Sequence, residues 1–209
     1  GIAIANVADK TLAQVAGTVT AARNVRIQSS DGSAGQSLLQ TKAGGGGLVG
    51  LGASVTIFDR TSSSTAEVAP DAVITATGIA AADPSAGTGQ VVVDAGSEHH
   101  LKSQALGAAV GLGAVGAAIA HVDNQATTTA SVGDRARITA KGIDINGHSV
   151  TDAQAEATAA AGGIVSGAGA DARANDRHTA QASVGTGAVL DATGGLNQVR
   201  ASIDPHARA

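Results

Sequence analysis

Thr65-Ala-Glu-Val-Ala-Pro-Asp-Ala-Val-Ile-Thr-Ala-Thr-Gly78 has two close counterparts further along the chain. They are Thr129-Ala-Ser-Val-Gly-Asp-Arg-Ala-Arg-Ile-Thr-Ala-Lys-Gly142 and Gln181-Ala-Ser-Val-Gly-Thr-Gly-Ala-Val-Leu-Asp-Ala-Thr-Gly194. The shared pattern is Ala-x-Val-x-x-x-Ala-x-(Ile/Leu)-x-Ala-x-Gly. A degenerate copy near Ala13 to Ala22 keeps Val15 and Val19 at its apolar positions. Within each copy, small and branched residues alternate at period two with Val, Arg, Thr, Asp or Lys, the signature of a strand with one buried face. Ala153, Ala155, Ala157 and Ala159 alternate too, and glycine punctuates the sequence too often for helices. Strands are expected throughout.

Working outward from these copies, each is preceded by a glycine-rich segment: Gly44 to Val55, Gly107 to Ala118 and Gly162 to Ala172. A polar stretch follows each segment, at Asp59 to Thr65, His121 to Thr129 and Asp171 to Thr179, and reads as a turn. A short variable strand, such as Val91 to Val93 or Ile143 to Ile145, completes the unit. Clear copies lie about 64 and then about 52 residues apart, and the surplus around Asp83 to His100 reads as a loop. The chain is therefore expected to be one repeat array, with a partial repeat at 1–43 and repeats at 44–106, 107–161 and 162–209. A unit of this length suggests two to three coils of twenty-odd residues each, giving an all-β fold, a parallel β-solenoid (β-helix). An antiparallel β-sandwich array is the structural alternative.

Composition fits a thin interior. The 209 residues include 47 Ala and 29 Gly but no Cys, Met, Trp or Tyr, and Phe58 is the single aromatic. A thick core of aromatic and Leu side chains is excluded; closely stacked small residues are not. With 13 Lys+Arg against 17 Asp+Glu there is no basic footprint, and no aromatic platform exists for bases or sugars, so no nucleic-acid partner is expected. The most apolar run, Ala105 to Ala120, is too short and glycine-rich to span a membrane as a helix. Absence of cysteine excludes disulfides and thiol chemistry. The start at Gly1, without an initiator Met or signal segment, reads as a mature or excised piece.

Several constellations invite chemical readings. Gly111-Leu-Gly-Ala-Val-Gly116 matches the dinucleotide fingerprint, with Asp134 downstream, but no amphipathic helix follows and the segment recurs as a repeat element, so no cofactor is expected. His99 and His100, with Asp94 and Glu98, are the candidate metal ligands, although neighbours on an extended strand face opposite ways. His121 and His178 share the polar segment and suggest a surface row, whereas His148 and His206 are scattered. Asp171, Arg173, Asp176 and Arg177, with Asp59-Arg60 earlier, read as charge pairing across coils on a solvated face rather than as a carboxylate pair for sugar cleavage. Ser62 to Thr65 and Thr127 to Thr129 suggest hydroxyl rows on an exposed face. Neither a calcium-binding nonapeptide nor a Gly-x-Ser-x-Gly elbow occurs.

The glycine segment Gly44-Leu48-Gly50-Leu51-Gly52-Ala53, joined to the Thr-Ala-x-Val-x-x-x-Ala-x-Ile-x-Ala-x-Gly run, resembles the long repeat regions of large bacterial filamentous-haemagglutinin-like and leukotoxin-like filamentous adhesins. The resemblance covers most of Gly44 to Arg200. It implies a secreted β-helical fibre with adhesive or matrix roles, and it transfers no catalytic residues. The resulting expectation is a non-enzymatic extracellular structural protein at a bacterial cell surface, a shaft or self-assembling filament subunit. Its partners would be copies of itself, head to tail, or neighbouring repeats of a longer chain, and a host surface or matrix. Two other readings are a ligand- or glycan-binding module using the 83–100 loop, and a β-helix enzyme acting on polysaccharide.

Overall fold

In a computed structural model, residues 1–78, 88–194 and 197–209 are described, with 33 and 34 described as backbone only. All elements are strands: β1 (Ile2–Val15), β2 (Thr18–Ala21), β3 (Val25–Val68), β4 (Val73–Ala76), β5 (Gln90–Val132), β6 (Arg137–Ala140), β7 (Gly142–Gly162), β8 (Val165–Val184), β9 (Val189–Ala192) and β10 (Asn197–Arg208). The larger sheet runs β1-β3-β5-β7-β10 with β8 also on β5, and the smaller runs β2-β4-β6-β9. Every pairing among the described residues is parallel, which disposes of the antiparallel sandwich.

The register sets each copy of the repeat directly beside the next. Val15 pairs with Val68, Val68 with Val132 and Val132 with Val184, while Val19, Ile74, Ile138 and Leu190 form a second row. Partners lie between 52 and 66 residues apart, as in Val91 with Ile143 and Val25 with Val91. This corrects the expected subdivision into two to three coils of twenty-odd residues: a whole repeat contributes one row to each sheet. The stretches expected to be short or turn-like are instead parts of long arms. Val91 to Val93 begins β5, Ile143 to Ile145 lies near the start of β7, and the polar segments lie within β3, β5 and β8. Residues 90–100 of the expected loop also belong to β5, where 91–98 and His100 pair on both sides. The surplus falls between Ala76 and Gln90, of which 79–87 lie outside the described residues.

β3 and β5 fold back on themselves, as hydrogen bonds between Ser64 and Ser29 and between Thr128 and Ser97 require. β7 and β8 meet in the same way through Thr151 and His178. Near the reversal the two arms touch backbone to backbone. A Cβ on Gly52 would overlap the carbonyl oxygen of Ala108, and one on Gly107 that of Ala117. The glycine segment is thus a close-packing device. At the opposite end each arm enters a four-residue turn, closed by Ala72 N–H to Ala69 C=O, Ala136 to Gly133, and Ala188 to Gly185, each 3.3 Å. The third turn residue is left-handed, with φ of 59° at Asp71, 56° at Arg135 and 71° at Gly187. With Pro70 before Asp71, this is the type II pattern.

Alternation then fills the interior. One apolar cluster lies at the turn end, where Val68, Val132, Ile74, Ile138, Val93 and Ile145 are almost wholly enclosed. A second, midway along the arms, contains Phe58, Leu101, Val122 and Ala153. Polar side chains occupy the space between them.

Candidate functional site: a buried polar seam beside a cleft

The seam follows from strand parity. Counting back from Val68 by twos reaches Ala66, Ser64, Ser62, Arg60 and Phe58, all on the inward face; counting on from Val91 reaches Val93, Ala95, Ser97, His99 and Leu101. Parallel pairing stacks these polar positions into rows: Arg60, Asn124 and Asp176; Asp9, Ser62, Ala126 and His178; Asp31, Ser97 and Ser149; His99 and Thr151. Ser97 donates to Ser149 at 2.8 Å within one row, and Ser29 donates to Thr11 at 2.9 Å between rows, so the hydroxyls satisfy one another.

Charge is concentrated at two points. Arg60, its side chain only 12% exposed, binds Asp9 at 2.7 Å and faces Asp31 at 3.5 Å. His99 Nε2 lies 2.8 Å from Ser62 Oγ and 3.4 Å from Asp31 Oδ2. Further along the stack, Asp176 accepts from His178, from Thr151 at 2.7 Å and from Asn124 at 3.0 Å. Burial alone would raise the Asp176 pKa, but these hydrogen bonds, led by that from His178, hold it below the usual carboxylate value. For His99 the cause is first burial and then the Arg60 guanidinium, which outweigh Asp31 and Asp9 and push its pKa down to about 4. The ring is therefore neutral at pH 7.

Ser62, His99 and Asp31 superficially match a nucleophile set, yet the geometry differs. In a proton relay the two imidazole nitrogens serve different partners. Here serine and aspartate both approach Nε2, while Nδ1 is buried without a partner. The arrangement holds a neutral imidazole inside a hydrogen-bonded wall.

A cleft reaches this wall. Between Gly32 and Gln36 the β3–β5 register shifts: Gly32 pairs with Glu98 and Gln36 with His100, leaving three residues opposite His99. Beside this bulge lies a cleft of about 270 Å³ lined by Gly32, Gly35, Ser37, Arg60, Glu98, His99 and His100. His99 Nδ1 faces Gly32, where an added Cβ would come within 2.6 Å of it. Gly32 also has φ of 95°, so glycine is required on both counts. Arg60 Nε and Asp31 Oδ2 are likewise buried without hydrogen-bond partners. The cleft thus borders Arg60 and His99, whose Nε and Nδ1 are buried just behind its wall.

The expected site residues are dispersed by this geometry. His99 points inward, with 0% of its side chain exposed, and His100 points out at 28%, so the two rings do not converge. Asp94 is buried and meets Asn146 at 3.2 Å and His148 at 3.4 Å. His121 faces outward onto Asp171 at 2.9 Å, whereas His178 is buried, so the expected surface row of histidines does not form. Pairing across rows does occur for Arg177 with Asp123 at 2.9 Å, whereas Asp176 and Arg60 lie inside rather than on the solvated face. The expected hydroxyl rows are split between faces: Ser62, Ser64 and Thr128 are buried, while Thr127 is exposed and Ser63, Thr65 and Thr129 are half-buried. Gly111 to Gly116 runs within β5 and opens no helix. No cluster of three metal-ligating side chains occurs among the described residues.

Comparison with protein-family models, curated proteins and solved structures gave no match. The function must be argued from the chain's own geometry.

Proposed function

We propose that the chain is a non-enzymatic structural element, a β-solenoid shaft or self-assembling filament subunit of a bacterial surface adhesin or matrix fibre. The observation that carries this reading is the continuity of the inward rows from first strand to last. β1 and β2 at one rim present Ala13, Val15 and Val19; β8 and β9 at the other present Ala182, Val184 and Leu190. A second copy set on the rim at the same spacing continues the rows of β1 and β2, placing Val15 on Val184, Val19 on Leu190 and Asp9 on His178. Strand addition of this kind supplies backbone hydrogen bonds without new side-chain chemistry, and its head-to-tail form grows without closing. Neighbouring repeats of a longer chain would use the same rows. The extracellular assignment rests on the resemblance to filamentous adhesin repeats.

Negative-stain microscopy tests the reading. Filaments much longer than the ~20 Å that four stacked rows span support the reading; particles no larger than one chain would overturn self-assembly.

A second reading, ligand or glycan binding through the 83–100 segment, is favoured by the cleft because Glu98, His99 and His100 line it. Glycan-array binding lost in a Glu98→Gln, His100→Ala variant would support that reading, and unchanged signal in the variant would remove it.

A further inference from the structure

The reversal of the long arms carries a cluster of exposed branched apolar side chains. Leu48, Leu112 and Ile164 occupy one row at the outermost edge and are 76%, 56% and 83% exposed. Leu51 pairs with Val115 in an adjoining row, and Val49 stacks through Gly113 to Val165. These four are exposed by 54% or more, and Val110 beside them by 67%. No charged residue occurs within 43–58, 103–120 or 157–170. The edge is therefore a straight, uncharged apolar ridge running along the direction in which the rows stack.

We propose that this ridge is a lateral docking surface for a second copy of the chain, packing shaft against shaft. Three observations choose that occupant. Rows of parallel strands recur every ~4.8 Å, and an identical ridge stays in step with them over its whole length, as in dry interdigitated sheet interfaces. The shoulders beside the ridge are glycine and alanine, in the rows Gly44–Ala108–Ala160 and Ala53–Ala117–Gly169, so knobs of one copy have room beside those of the other. Full burial of a Val, Leu or Ile side chain removes roughly 60–120 Å² of apolar surface from water. Eight such residues at these exposures give about 500 Å² per chain, or about 1,000 Å² for the pair, the lower bound for a specific interface. Each further repeat would lengthen the contact.

A lipid surface is the rival occupant, and the margins argue against it. Lys42 and Lys102 border one side, with Glu156 3.5 Å from Lys102, while the other side carries Asp59, Asp123 and Asp171, the last two ion-paired with Arg177 and Arg173. Each margin mixes cations with carboxylates, so neither offers the unbroken basic fringe that would hold an anionic bilayer. Lateral pairing differs from end-to-end growth, so the two can fail separately.

The test compares the wild-type chain with the Leu48→Ser, Leu112→Ser, Ile164→Ser variant, whose altered side chains are mostly solvent-facing and whose folding is checked by circular dichroism. Scanning microscopy of unstained particles measures mass per unit length. The wild type is expected to show twice the value of the variant, with long particles retained in both. Equal values, whether or not the particles are long, would overturn the proposal. So would a wild type one shaft wide in buffer that co-sediments with phosphatidylcholine or phosphatidylglycerol vesicles through the same three residues. Absence of elongated particles in both chains would count against the shaft reading instead; paired mass in solution lost on substitution would still support the ridge.

Discussion

Acidification from neutral pH should weaken this fold through the imidazole of His99. His99 is enclosed between Ser62, Asp31 and Arg60, and its pKa falls from 6.5 to about 4 on folding. The folded protein therefore disfavours the protonated ring, while the unfolded chain accepts the proton near pH 6.5. The contribution is intact above pH 6.5 and is lost as pH falls from there towards 4. A shift of this size corresponds to about 3 kcal/mol, a large part of the stability of an ordinary domain. Asp176, whose pKa is lowered from 3.8, titrates below that window, as does Asp71. Urea unfolding followed by circular dichroism at pH 7, 6, 5 and 4 should show a progressive fall in the midpoint with unchanged slope. In a His99→Gln variant the fall should be smaller by about 3 kcal/mol, because nothing at that position titrates. Identical pH profiles for the two proteins would refute the argument that burial keeps the ring neutral.

Other positions give equally direct outcomes. Arg60→Ala leaves Asp31 enclosed without its cation and should cost about 3–5 kcal/mol in urea unfolding at pH 7; adding Asp31→Asn should recover part of the loss, and no recovery would contradict the pairing. Gly52→Val should lower the melting temperature sharply, since its Cβ overlaps a backbone carbonyl, whereas Gly113→Ala meets nothing within 4 Å and should be neutral or slightly stabilising. Equal melting temperatures for those two variants would refute backbone packing at the arm reversal. Ile138→Ala, in the middle row of the smaller sheet, should cost about 2–5 kcal/mol against about 0.5–1.5 for Ile138→Val, both read from unfolding midpoints.

Much of the architecture was legible because period-two alternation and repeat spacing are local and additive. The alignment of Val68, Val132 and Val184, made on the sequence alone, is the row that the strands form. The number of rows per repeat was not legible, because serine, threonine and charge within Asp59 to Thr65 look like a turn when a strand is assumed to bury only apolar residues. Parity carried the missing information: Arg60, Ser62 and Ser64 share the face of Val68, and His99 shares that of Val93. What overrode composition was the pairing of one inward polar residue with another, which removes most of the cost of burying either. The bulge at Gly32 had no comparable signal, since it is visible only against the register of the neighbouring strand.

The corner after β4 has a practical meaning. Gly78 and Gly89 lie side by side, so near that a Cβ on Gly89 would come within 2.7 Å of the Gly78 amide nitrogen, and the Gly89 carbonyl already accepts from Lys141 at 2.8 Å. Residues 79–88 thus join two points that almost touch, and neither sheet depends on how many residues make the connection. Lengthening that connection costs only about 0.6 kcal/mol per doubling, whereas a single residue added inside an arm would turn every later side chain to the wrong face. The corner is consequently a graft position, where a foreign peptide or a whole domain whose termini are close together can be carried on the array without resetting its rows.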